Sequence, residues 1–318
     1  MDTDSQPRTV FLFPGQGSQA VGMGRELAAA YQKARRIFEQ ADDLLGFSLS
    51  RLAWDGPENE LNDTINTQPA LLVHSMAVLE VLREVQPDFQ LDFVAGHSMG
   101  ELSALVAAGS LDFPETLKLV RKRGELMKQA GDASPGGMAA IIGLDIPTLE
   151  QICEQASQGK SENEIVQVAN DNCPGQVVIS GAAPALERAL ELAQQAGARR
   201  AVKLAVSIAA HSPLMRHAQN DFNQAVNSAS IIDARVPLIG NVTAAPLVTT
   251  EQIRGDLQAQ LNSRVRWTES IQNMIAQGAG IFIELGSGSV LTGLLKRIDR
   301  QVRGIPLGTP DDFEKLFA

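Results

Sequence analysis

Phe93-Val-Ala-Gly-His-Ser-Met-Gly-Glu-Leu-Ser-Ala-Leu-Val-Ala-Ala108 is the stretch that decides the fold. Its first four residues are apolar or small and read as a short buried strand, and from Glu101 onward the run reads as a helix. Between them stands Gly96-His-Ser-Met-Gly100. Glycines two before and two after a serine let a strand and a helix pass closely. Ser98 would then sit on a tight strand–turn–helix corner, the setting of a nucleophile elbow. The helix start behind it supplies backbone N–H groups and a positive dipole end for an oxyanion. A glycine-flanked turn without chemistry is the bland alternative, and the flanking strand and helix weigh against it.

Outward from this corner, short apolar runs alternate with longer helical patterns, which predicts an α/β protein. Residues 9–13 read as a buried strand, and 22–40 and 69–85 as helices. Asp112 is placed to cap a further helix, with Pro114 tolerated in its first turn. The middle of the chain reads strand 138–144, helix 147–158, strands 165–170 and 176–180, helix 184–197 and strand 201–207. That βαββαβ order is a ferredoxin-like unit. It predicts a small domain, 134–206, inserted into a larger one made of 1–133 and 207–318. Residues 237–241 and 281–285 read as further core strands, and 290–300 as the last helix.

The 318 residues carry 27 Lys and Arg against 37 Asp and Glu, a net charge of −10. An acidic surface argues against non-specific nucleic-acid binding, which needs a basic face. The two cysteines, Cys153 and Cys173, form no CxxC pattern, so neither a zinc site nor a disulfide framework is expected. The polar, acidic start MDTDSQPRTV does not read as a signal peptide, and no apolar run approaches a bilayer-spanning length. A soluble, cytoplasmic protein is expected.

A serine nucleophile needs a base, and the chain has four histidines. His74 lies in an apolar helix and reads as a packed core residue. His97 is inside the elbow, with its ring expected to point away from the Ser98 hydroxyl. His217 reads as a surface group on a helix. His211 follows a strand and precedes Ser212-Pro213, on a loop at a strand's carboxyl end, where open α/β sheets place their sites. Elimination leaves His211 as the base. A third carboxylate is harder to find: Asp145 is the best candidate, but it lies in the inserted unit.

On a helical wheel for 114–130, Arg123 falls among Leu117, Val120, Gly124 and Met127, opposite Arg121, Lys122, Glu125 and Lys128. An inward guanidinium must find an anion. The partner is either a protein carboxylate or a substrate carboxylate gripped by two parallel hydrogen bonds. The loop Phe13-Pro-Gly-Gln-Gly-Ser-Gln19 lacks the lysine of a P-loop, but it could bring Gln16 to a reacting oxygen. Gly286-Ser-Gly-Ser289 fails as a dinucleotide motif and reads as the cap of the last helix.

At these residues the sequence resembles malonyl-CoA:acyl carrier protein transacylases and the related acyltransferase domains of polyketide and fatty-acid synthases. The matching pieces are FPGQGSQ from Phe13, GHSMGELSAL from Gly96, Arg123-Gly124, VANDNCPGQVVISG from Val168, HSPLM from His211, NVTA from Asn241, VRWTES from Val265 and ELGSGSVLTGLLKRI from Glu284. They run in family order over nearly the whole chain. The resemblance implies an α/β-hydrolase-like core with a parallel sheet and an inserted ferredoxin-like domain. It implies Ser98 as nucleophile, His211 as base and Arg123 as the malonate-binding arginine. The N–H groups of Gln16 and Met99 would form the oxyanion hole. The backbone carbonyl of Gln260 would orient the histidine in place of a triad acid.

Two departures stand out. Ser207-Ile-Ala-Ala-His211 puts the small Ala210 where relatives often carry a larger residue, so a roomier acyl pocket is expected. The late loop lacks the lysine common in relatives.

The implied reaction is ping-pong malonyl transfer from malonyl-CoA to the phosphopantetheine thiol of holo acyl carrier protein, supplying fatty-acid or polyketide synthesis, with no bound cofactor or metal. A monomer is the default expectation. A serine esterase or thioesterase of the α/β-hydrolase type is the alternative, and a carrier-binding scaffold with a dead site is a third. The carrier is acidic, so a local basic patch should receive it: Lys296, Arg297, Arg300 and Arg303, or Arg199, Arg200 and Lys203.

Overall fold

The computed structural model describes residues 7–158 and 164–317. The first six residues, on which the reading of the N-terminus partly rests, lie outside them. Among the described residues ten strands follow one another: β1 (Arg8–Phe13), β2 (Phe93–Gly96), β3 (Gly136–Ile142), β4 (Val166–Cys173), β5 (Gln176–Ala182), β6 (Arg200–Lys203), β7 (Leu238–Ile239), β8 (Pro246–Leu247), β9 (Ala279–Leu285) and β10 (Arg303–Leu307). They form two sheets. The larger has the order β10-β9-β1-β2-β7-β8 and the smaller β4-β5-β3-β6.

The larger sheet is parallel except for its last pair, β7 with β8. β1 lies at its centre, and Val10 to Phe13 are all buried. Such a run, apolar without alternation, is what a parallel strand covered on both faces requires. Helices Thr64–Val85, Gly100–Ala107 and Phe113–Ala133 pack together over one face, and helices Trp267–Ala276 and Val290–Ile298 over the other. This is the α/β core expected from the sequence.

The smaller sheet is antiparallel throughout. Numbered within the unit its order is 2-3-1-4, the ferredoxin-like arrangement, as the βαββαβ pattern predicts. β3 alternates half-buried and buried residues, the mark of a sheet with one packed face. Helices Ile146–Ser157 and Ala183–Gln195 cover that face through Ile152, Leu149, Leu186 and Ala189. The stretch around Val265 ties this unit to the core: Asp171 N–H donates to Val265 O (2.9 Å), and Val265 N–H to Ala169 O (2.8 Å).

Several boundaries differ from the sequence reading. The helix expected from Pro69 begins at Thr64, capped by Asp63, with Pro69 inside it. Proline lacks an N–H and so frees the carbonyl four residues earlier. Arg121 takes that carbonyl, with Nη1 3.1 Å from Ile65 O.

The helix expected over 22–40 is two, Arg25–Ala30 and Gln32–Leu45, broken at an extended Tyr31 whose ring packs on Phe313. The strand expected over 201–207 stops at Lys203. Among the described strands β6 is an edge strand bonded to β3 alone, and once the pairing ends the chain turns away to line a cavity. No described helix is long and apolar enough to cross a membrane.

Candidate active site

β2 ends at Gly96, and the chain turns back into helix Gly100–Ala107 through Ser98, whose φ of 53° is left-handed. Both glycines are sterically obligatory. A Cβ on Gly96 would lie 1.9 Å from the Gly100 carbonyl, and one on Gly100 would lie 2.2 Å from Phe13 O. The strain of a serine at positive φ is held in place from outside. The Asn241 side chain accepts from Ser98 N–H (2.7 Å) and donates to Gly96 O (2.7 Å), bracing the corner on both sides.

His211 also sits at positive φ, 58°. Its carbonyl accepts from Gln167 Nε2 (2.7 Å), and the same amide nitrogen donates to Asn262 O (3.0 Å). The ring is buried, with Nε2 2.8 Å from Ser98 Oγ and Nδ1 2.9 Å from Gln260 O. A carbonyl can only accept, so Nδ1 carries the proton and Nε2 presents its lone pair to the serine hydroxyl. Burial first, then the nearby Arg123 charge, push His211 down to about 3. It is therefore a neutral acceptor at pH 7.

The other histidines lie where the sequence puts them. His97 turns away from the serine to hydrogen-bond Asn172 Oδ1 (2.8 Å) and pack edge-on against Trp267. His74 is buried, its Nε2 bonded to Gly308 O at 3.0 Å. His217 is exposed on helix Arg216–Ser228. Asp145 is no triad acid: its carboxylate caps helix Ile146–Ser157 through Thr148 N–H. Both cysteines are free and buried.

Arg123 is 1% exposed, although it belongs to a class almost never buried without a partner. Nη1 donates to Gln68 Oε1 (2.7 Å). Nη2 donates to Gln260 Oε1 (2.8 Å) and to Ser98 Oγ (3.1 Å). Nε has no partner among the described residues. Every oxygen it meets is formally neutral. Burial pushes this guanidinium down to about 10, so it still carries a full charge at pH 7.

A cavity of about 360 Å³ opens over these groups, lined by Gln16, Ser98, Met99, Arg123, Ala210 and His211 among others. The structure thus brings Ser98, His211, Arg123 and Gln260 into one hydrogen-bonded cluster, with Gln16 and Met99 on the cavity wall. Gln16 Oε1 accepts from Thr64 Oγ1 at 2.9 Å.

The sequence reading missed Gln68, Glu101, Gln167 and Asn241 as parts of the site. Glu101, Asn241 and Gln167 lie in or beside quoted motifs, yet spacing gave them no task. Gln68 carried no signal. The late glycine loop is corrected in one respect. Ser289 stands at the start of helix Val290–Ile298 but makes no side-chain cap; the buried Glu284 carboxylate does, accepting from Leu291 N–H (2.9 Å) and Thr292 N–H (2.7 Å).

A family model described as the acyl transferase domain matches residues 10–308. The chain belongs to that family. This acyltransferase is 46% identical over 309 residues to the malonyl CoA-acyl carrier protein transacylase of Bacillus subtilis, covering 96% of this chain and 95% of that one. It is 44% identical over 305 residues to the protein of the same name from Haemophilus influenzae, covering 96% of each. Among solved structures, an acyl carrier protein S-malonyltransferase from Vibrio cholerae superposes on the acyltransferase with a TM-score of 0.93 at 42% identity, covering 97% of this chain and 99% of that one. A malonyl-transacylase solved in complex with a type II polyketide-synthase acyl-carrier protein also gives 0.93, at 40% identity, covering 97% and 98%.

Proposed function

We propose that the protein is a malonyl-CoA:acyl carrier protein S-malonyltransferase that works through a malonyl ester on Ser98. The observation that carries this reading is Arg123. Its guanidinium lies in the cavity wall 3.1 Å from Ser98 Oγ, with neutral oxygens as its only hydrogen-bond partners among the described residues. A buried cation without a carboxylate is costly, and a malonyl group brings the missing anion. A plain esterase has no use for that charge, and an acetyl group would leave it unmatched.

The geometry supports the following sequence. His211 Nε2 takes the Ser98 proton, and Oγ attacks the malonyl thioester carbonyl. The Gln260 carbonyl, bonded to Nδ1, holds the ring and stabilises the imidazolium, doing the work of a triad acid. Ser98 N–H is occupied by Asn241. The oxyanion is left to Met99 N–H, at the start of helix Gly100–Ala107, and Gln16 N–H. CoA thiolate leaves and takes the proton from His211. The phosphopantetheine thiol of the carrier protein then enters, His211 removes its proton, and the second displacement mirrors the first. Thioester is exchanged for thioester, so neither redox chemistry nor ATP is required.

The division of labour follows the two sheets. We assign 1–133 and 207–318 to the catalytic core and 134–206 to an inserted domain that closes one side of the cavity. The chain leaving β6 supplies Leu204, Ala205 and Val206 to that wall. This favours Arg199, Arg200 and Lys203, all exposed and contiguous with it, over the cluster near Lys296 as the carrier-docking surface.

The reading is tested by incubating the protein with malonyl-CoA and holo carrier protein and weighing the products. Malonyl-carrier protein and a malonylated Ser98 peptide are expected. Free malonate with unmodified carrier would overturn the assignment in favour of a thioesterase.

A further inference from the structure

Glu101, the residue after the elbow's second glycine, is fully buried yet has no cation within salt-bridge distance among the described residues. Its carboxyl accepts from the Gln260 side-chain amide and, at a longer 3.4 Å, from Asn241 N–H. It also lies within hydrogen-bonding reach of Asp256, a second buried acid on helix Thr250–Gln260. Asp256 already accepts from Thr243 N–H (3.0 Å), Thr243 Oγ1 (2.9 Å) and Val242 N–H (3.2 Å). Two carboxyl groups in contact away from water cannot both be ionised, so the pair holds one proton. Three donors are already aimed at Asp256, and Glu101 carries the proton. Burial, then the Asp256 charge, push Glu101 well above the usual carboxylate range.

The Gln260 amide links this pair to the site. Its nitrogen donates to Glu101 and to Ser98 O (3.1 Å), its oxygen accepts from Arg123, and its own backbone carbonyl accepts from His211. The amide's orientation is thereby forced: were it flipped, the NH₂ would face the guanidinium and two carbonyl oxygens would face each other. The charges around Glu101 are Asp256, Arg123 on helix Phe113–Ala133, and Arg266, which faces Asp256. An ionised Glu101 would partly neutralise Arg123 from behind and compete with a substrate carboxylate for its charge.

We propose that Glu101 is a positioning residue that acts in its protonated form, locking the Gln260 amide and leaving Arg123 uncompensated for the substrate's carboxylate. This deepens the malonyltransferase reading and rests on it, so malonyl-carrier formation by the wild type is measured first; a failure there is a failure of that reading alone.

The test compares Glu101→Gln with Glu101→Leu. Glutamine mimics the protonated acid. It keeps an acceptor for Gln260, offers Asp256 a fixed donor, and gives up only the longer Asn241 contact. Its kcat/KM for malonyl-CoA should stay within about threefold of wild type. Leucine fills the volume but releases the amide. It should lose about 30-fold or more, with a lower ratio of malonyl to acetyl loading on Ser98, which a merely structural role would not move.

Folding supplies a second readout. A proton held in the fold above the unfolded carboxyl range means that stability falls as pH rises from about 4.5 upward. Glutamine has no such proton. The unfolding constant of wild type relative to Glu101→Gln should therefore grow by up to about tenfold per pH unit between pH 5 and 7. This readout holds even if the leucine variant does not fold. The proposal is overturned if Glu101→Gln loses as much activity as Glu101→Leu, if Glu101→Leu keeps full activity and selectivity, or if the two unfolding constants keep a fixed ratio across that range.

Discussion

The two faces of helix Phe113–Ala133 carry arginines two residues apart that have been treated in opposite ways. On the outer face Arg121 has a carboxylate and backbone and amide oxygens as partners. It pairs with Glu125 (3.0 Å), donates to Ile65 O and to Asn66 Oδ1 (2.9 Å), and lies over the Phe47 ring. On the inner face Arg123 is buried, has no carboxylate within salt-bridge distance among the described residues, and leaves Nε unpartnered. The outer arginine is given a carboxylate by the fold. The inner one is given amide and hydroxyl oxygens only, and the difference is room for an anion that arrives from outside.

The largest effects are expected at the atoms that react on the inner face. Ser98→Ala should abolish acyl-enzyme formation altogether, and His211→Ala should slow it by about 10² or more. Intact-mass measurement after brief exposure to malonyl-CoA reads both. Label on Cys153 or Cys173 would contradict the serine assignment. Both thiols are buried, and burial pushes Cys153 up to about 12.

Next comes the arginine itself. Losing one partner of a buried charge pair costs about 2–5 kcal/mol. Arg123→Ala should therefore lower kcat/KM for malonyl-CoA by roughly 30- to 4,000-fold, at ~1.4 kcal/mol per decade. Acetyl loading should be unchanged or higher, since the pocket loses its unmatched charge. Arg123→Lys should recover only part of the loss, because a point charge replaces the two-pronged fork. An unchanged ratio of malonyl to acetyl loading would reduce Arg123 to the same standing as Arg121.

The same charge sets the pH response. An ordinary histidine would lose its basicity as pH falls through about 6 to 7. His211 is instead held near 3 in the free enzyme, first by burial and then by Arg123. The acid limb of Ser98 acylation should accordingly lie about a unit or more below the ordinary range. Once the malonyl carboxylate sits on Arg123, the second cause is cancelled. His211 then titrates higher in the acyl-enzyme, and the acid limb of transfer to carrier protein moves up in pH relative to that of acylation. Single-turnover rates for the two half-reactions across pH 4–8 test this; limbs that coincide would show that Arg123 does not act on His211.

A smaller effect is expected from charge reversal of Arg199, Arg200 and Lys203 together. The apparent KM for carrier protein should rise about tenfold at low salt, less at high salt, with KM for malonyl-CoA unmoved. A response confined to Lys296, Arg297, Arg300 and Arg303 would transfer the docking surface to the other cluster.

How much of this was legible in the sequence follows from the kind of signal each residue carries. The elbow was legible because steric necessity puts glycines at Gly96 and Gly100, two residues either side of the serine. The inserted unit was legible because one-faced strands and amphipathic helices alternate. Arg123 was legible because a charge on an apolar helical face breaks the period. β10 was not, since Arg303-Gly-Ile-Pro-Leu307 carries a glycine and a proline and too short an apolar run to read as a strand; it forms one by pairing along β9. Gln68 and Asn241 were not either. Their tasks are set by partners 55 and 143 positions away, Arg123 and Ser98, and nothing in local spacing encodes such a distance. The helix start at Thr64 was hidden by Pro69, because proline usually ends or begins a helix and its tolerance here depends on a side chain from another helix.

That last contact gives the sharpest control for the comparison. Arg121 Nη1 satisfies the Ile65 carbonyl that Pro69 leaves open, and its other bonds lie at a partly exposed surface where water can compete. Arg121→Met keeps an unbranched apolar stem but removes these bonds. The expected loss is about 0.5–1.5 kcal/mol, the net worth of an ordinary hydrogen bond, because the accompanying ion pair is solvent-screened. Denaturant midpoints should fall slightly with an unchanged slope. The ratio of malonyl to acetyl loading should stay at the wild-type value, because no atom of Arg121 lines the cavity. A changed ratio would mean that the position of helix Phe113–Ala133, and not the lone charge on its inner face, sets the choice of acyl group.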